Sequence, residues 1–143
     1  MQEPILSPTT AKRIYSIKGI LIGSLLAGPL VAGYMMSSNS SALELKNKTR
    51  IWVISVTSFI CITALAMILP ESVPAVAFIF TNAALGYYLA LYLQGKEIEN
   101  HISNGGPKYS GWRSAGIALV FTIVFILLAL LSFFLADLAE GKF

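Results

Sequence analysis

The chain has 143 residues, of which 56% are hydrophobic and only 12% charged, and its mean hydropathy is +0.74. Soluble domains carry about 25% charged residues, so this composition excludes an ordinary soluble globular protein and points to lipid as the solvent. The net charge of +3 does not mark a nucleic-acid binder, because the cations flank apolar stretches instead of forming a run or a helix face.

In chain order, residues Met1 to Thr10 contain two prolines and read as a short extended tail, within an N-terminal region of residues 1–18. A single membrane domain, residues 19–143, is expected to follow, with apolar segments at 19–36, 51–69, 73–93 and 114–136. A helix rises 1.5 Å per residue, so ~20 residues cross a ~30 Å hydrocarbon core. The last three segments meet that length without an internal charge and read as transmembrane helices. Pro70, Glu71, Ser72 and Pro74 break the chain between the second and third, which predicts an antiparallel helical pair. Trp52, Tyr87, Tyr88, Tyr92, Tyr109 and Trp112 stand toward segment ends, the depth that amphipathic rings favour. Residues 95–111, with Asn104-Gly105-Gly106-Pro107, read as a polar loop in which the lone His101 is solvated. The fold class expected is an all-α integral membrane protein with four membrane-embedded segments.

The first segment differs from the others. Gly19, Gly23 and Ala27 recur at intervals of four, as do Gly28 and Ala32, a spacing that lets helix backbones approach closely in lipid. Gly28-Pro29 interrupts it at the midpoint, where proline removes a donor and would clash with the carbonyl of Leu25. If all four segments span, the two faces carry six and four Lys or Arg residues, almost no bias. If the first segment enters and leaves by one face, nine stand there and one opposite, as the positive-inside rule expects of short loops. A re-entrant hairpin folded at Gly28-Pro29 thus competes with a kinked full span, because Pro is also common in spanning helices. A signal-peptide reading of residues 1–42 fits less well, since the basic region and the apolar stretch are both too long.

The stretch LLAGPLVAGYMMSSN, Leu25 to Asn39, resembles the Gly-Pro-Leu-Ala-Gly-Gly-Tyr segment near the N-terminus of a group of small, uncharacterised bacterial membrane proteins. Tyr15-Ser16 stands where those carry a Tyr-Ser pair, and Asn39 where an Asn follows. Leu45-Lys46 stands where Leu-Gly is usual. The likeness covers about a third of the chain. It implies a bacterial inner-membrane location and no activity.

Few residues offer chemistry. Asn82, in the third segment, is the one strongly polar side chain inside the spans and shares a stripe with Phe78, Gly86 and Ala90. A buried amide beside a close-packing glycine is expected to bond a neighbouring helix, with a solute contact as the functional alternative. Cys61 has no disulfide partner and reads as a small packing residue. No metal or cofactor is expected. The spans hold no carboxylate, and no acid–base or nucleophile–base pair can be assembled at one place, so an enzyme is not expected. The expected partners are the bilayer and either a second copy or another membrane protein, packed through small-residue faces. A transport or pore element built on the broken segment is the alternative, and a membrane-resident immunity or defence protein a third.

Overall fold

The computed structural model describes residues 12–70 and 72–139, and the expected N-terminal tail of residues 1–10 lies outside them. The described chain is helical, with α1 at Ile17–Ala27, α2 at Pro29–Ala42, α3 at Lys48–Ile68, α4 at Ala75–Ser103 and α5 at Gly111–Ala139. Among these residues the only β pairing is an isolated bridge between Ile14 and Lys108. The helices α3, α4 and α5 are long and apolar enough to cross a membrane. The first apolar segment is not one span of that kind, because it is divided into α1 and α2.

The division is sharp. Gly28 adopts φ 78° and ψ −166°, a region essentially restricted to glycine, and its N–H closes α1 on the carbonyl of Ser24 at 2.8 Å. Pro29 then opens α2 at the first helical position, where its missing N–H costs nothing and its fixed φ suits a helix start. The clash expected at Leu25 never arises, because the chain turns before it can. Beyond the turn α2 runs back along α1. Tyr15 and Asn39, which one continuous helix would hold about 36 Å apart, are hydrogen-bonded to each other.

This hairpin is the hub of the molecule. Its arms α1 and α2 have their open base beside the start of α3, the end of α4 and the start of α5. Helices α4 and α5 both pack on α1, and α3 packs on α2. The long helices scarcely pack on each other. Helix α3 touches α4 over a short stretch, and among the described residues no Cα pair from α4 and α5 lies within 8 Å. Phe59 of α3 and Phe125 of α5 meet only through their rings, with centroids 5.6 Å apart. Past the hairpin tip the three long helices continue with apolar, exposed sides; Met67 is 84% exposed and Phe133 72%.

Three details differ from the sequence expectation. Helix α4 continues ten residues beyond position 93, through half of the expected polar loop, because Ile98 and Ile102 extend its apolar stripe onto the start of α1. His101 therefore stands in the last turn of α4, half-buried, with Nε2 3.2 Å from the carbonyl oxygen of Pro107. Within residues 12–18, read as part of the N-terminal region, Ile14 and Tyr15 belong to the core while Lys12, Arg13 and Lys18 stay exposed. The backbone of Ile14 pairs there with the loop before α5: its carbonyl accepts from Tyr109 N–H and its N–H donates to the Pro107 carbonyl. Cys61, expected to pack, lies exposed on α3.

Candidate functional site

The buried polar side chains gather on the hairpin. At its base the Asn39 amide holds the backbone of Tyr15 from both directions: Oδ1 accepts from Tyr15 N–H at 2.7 Å, and Nδ2 donates to Tyr15 C=O at 2.8 Å. Both groups are buried, and both backbone atoms precede α1, where the chain has no helical partner to offer them. One turn deeper, Gln94 of α4 donates through Nε2 to the Met36 carbonyl at 2.8 Å and the Ser40 hydroxyl at 2.7 Å. Ser40 donates to Asn47 Oδ1, and Asn47 Nδ2 reaches back to the carbonyl of Leu93. Trp52 Nε1 donates to Ser37 Oγ at 3.0 Å, so this expected interfacial ring also holds α2 to α3. The second arm is thereby tied to the first arm, to α3 and to α4.

Small residues set the spacing lower down. A Cβ at Gly86 would strike the side chain of Ser24, so only glycine lets α4 approach α1 this closely. Ser24 uses the proximity to donate to the carbonyl of Asn82 at 2.6 Å. Gly19 faces Ser114 of α5, Gly23 faces Met35 and Val31 of α2, and Ala32 faces Gly86. The stripe of Gly19, Gly23 and Ala27 thus meets different neighbours in turn and is used within the chain.

At the tip, Gly28, Pro29 and Ala27 border a cleft of about 330 Å³ with Asn82, Thr63 and Phe125. The Asn82 amide nitrogen would stand 3.6 Å from a Cβ on Gly28, and its Oδ1 is buried without a hydrogen-bond partner among the described residues. Thr122 of α5 donates to its own helix at Ala118 and lies 3.4 Å from the carbonyl of Leu26, one of the groups left open where α1 ends. Twelve residues of α4 separate Asn82 from Gln94, so the tip lies about 18 Å below the base. Among the described residues no group of His, Cys, Asp and Glu side chains is placed to hold a metal ion.

The structure therefore brings Gly28, Pro29, Ala27 and Asn82 together at the tip, and Ala32 and Gly86 together above it. It sends Gly19 and Gly23 to separate interfaces. Sequence reasoning missed Gln94, Ser40 and Asn47, and met Asn39 only through a resemblance. The available signal was polar side chains at the end of apolar runs, Gln94 after Leu93 and the Ser-Ser-Asn-Ser-Ser run after Met36. No protein-family model, curated protein or solved structure matches the chain.

Proposed function

We propose that the chain is a non-catalytic, multi-pass membrane protein that acts by packing against a second copy or another membrane protein. In this reading α1–α2 is a re-entrant hairpin entering from the cytoplasmic face of a bacterial inner membrane, and α3, α4 and α5 span. Charge supports the orientation. All nine basic residues from Lys12 to Arg113 belong to the segments at the hairpin base, where the positive-inside rule expects cytoplasm. The observation that carries the functional reading is the division of labour among the helices. The buried polar groups and small residues are used to hold the hairpin, while past its tip α3, α4 and α5 carry exposed apolar sides and make few contacts with one another among the described residues. Within lipid such faces gain from close packing with a further helix, not from hydrophobicity as such.

Single cysteines on the far halves of α3 and α5, in a Cys61→Ser background, test this in native membranes. Cross-linking at defined positions, into a dimer or to one copurifying membrane protein, is the expected result. Uniform absence of adducts, with a monomer in nanodiscs, would sink it.

A second reading has its own observation. The tip joins the carbonyl end of α1 to the N–H end of α2 beside Asn82 Oδ1, which has no hydrogen-bond partner among the described residues, an arrangement that discontinuous helices use to hold solutes. Solute flux in proteoliposomes, lost in Asn82→Ala, would favour it.

A further inference from the structure

Arg113, the third residue of α5, is held in place on two sides. Its Nε donates to the Tyr15 hydroxyl at 3.3 Å, and its guanidinium carbon lies 4.2 Å from the centre of the Tyr109 ring. Tyr109 in turn packs on the Tyr15 ring, with centroids 4.6 Å apart. Tyr15 is buried, and Asn39 fixes its backbone, so an exposed guanidinium inherits a rigid mount. Guanidinium is planar, permanently charged and shaped to grip two oxygens of one phosphate.

An open groove of about 540 Å³ descends from this cation between α2 and α5, walled by Tyr34, Gly116, Ile117, Val120 and Phe121. The rings of Tyr34 and Phe121 lie 5.9 Å apart on its wall. A Cβ at Gly116 would meet nothing within 4 Å, so no intramolecular contact requires glycine there, yet its lack of a side chain widens the groove. Among the described residues no carboxylate lines the groove. The neighbouring depression beside Tyr109 adds Lys12 and Arg13, of which Lys12 lies 4.0 Å from Glu44. One end of the groove is thus cationic and the rest apolar.

We propose that this groove binds an anionic phospholipid of the cytoplasmic leaflet, its phosphodiester on Arg113 and an acyl chain along Tyr34, Val120 and Phe121. This rests on the reading of α5 as a span with its start at the cytoplasmic interface. The commitment to a lipid follows from the two-part chemistry: a free phosphate would use the guanidinium alone and leave the apolar wall exposed. The net positive surroundings favour a headgroup that carries negative charge over a zwitterionic one.

Native mass spectrometry of the full chain released from nanodiscs of phosphatidylglycerol and phosphatidylethanolamine in equal parts tests the site. The retained lipid should be enriched several-fold in phosphatidylglycerol. Arg113→Gln should weaken that retention about tenfold, the loss expected for a charge-assisted hydrogen bond, and Arg113→Lys should restore part of it. Gly116→Leu keeps every charge, projects into open space and should also lower retention. It keeps the test open if Arg113→Gln fails to fold. Retention of both lipids in the nanodisc ratio, or unchanged retention in Gly116→Leu, would overturn the site while leaving the spans intact. A chain that never enters nanodiscs would overturn both.

Discussion

The side-chain amide of Asn39 pairs with both backbone groups of Tyr15, closing a loop of 24 residues with two hydrogen bonds of 2.7 and 2.8 Å. This pairing makes α1 and α2 one unit, and the surrounding helices depend on that unit because they make little contact with one another. Removal of the amide should therefore loosen more than the N-terminus. Asn39→Ala leaves a buried donor and a buried acceptor unpaired, each costing about 1–3 kcal/mol. A clear fall in thermal midpoint in detergent is expected, together with early proteolysis before α1. A midpoint equal to that of the parent chain would refute the clamp.

The turn at Gly28 depends on a torsion that other residues resist. Gly28→Ala is expected to cost about 1–3 kcal/mol through φ 78° alone. The space is not the obstacle, since a Cβ there would lie 3.6 Å from Asn82 Nδ2, an ordinary contact. Chemical denaturation of the reconstituted chain measures this. Tolerance of alanine without loss would favour a straightened first segment and a full span.

Gly86 and Ser24 should be energetically coupled. Gly86→Ala drives a methyl into Ser24 and is expected to destabilise by about 1–3 kcal/mol. Ser24→Gly sacrifices its bond to the Asn82 carbonyl but clears the space, so the double variant should be more stable than the two single losses add up to. A double-mutant cycle that is additive would mean that α1 and α4 do not meet here.

Sidedness separates the hairpin from a kinked span. In a Cys61→Ser background, cysteines at Ser7 and Ser41 should react with a membrane-impermeant maleimide from the same face, and one at Ser72 from the other. Labelling of Ser7 and Ser41 from opposite faces would remove the re-entrant topology and leave four spans.

Gln94 offers a test of burial. It is fully buried, and its Nε2 makes two hydrogen bonds to α2. Gln94→Leu keeps much of the volume but removes that donor, so a loss of about 1–3 kcal/mol is expected in chemical denaturation of the reconstituted chain. A variant as stable as the parent chain would place position 94 in contact with water.

Much of the fold was legible because its driving terms are local and summed along the chain. Charge-free runs of about 20 residues define α3, α4 and α5 wherever they sit, and the cations beside them mark one end of the molecule. Even the break at Gly28-Pro29 could be placed, since proline acts on its own backbone and on the residue before it. What these local rules left open was the direction in which α2 leaves the break, because a kink and a reversal begin with the same two residues. Tertiary structure decided that through Asn39 and Tyr15, Gln94 and Met36, and Gly86 and Ser24, pairs separated by 24 to 62 residues. Their hydrogen bonds and close approaches exist only after the chain has folded back, so no hydropathy or charge pattern along the sequence could announce them.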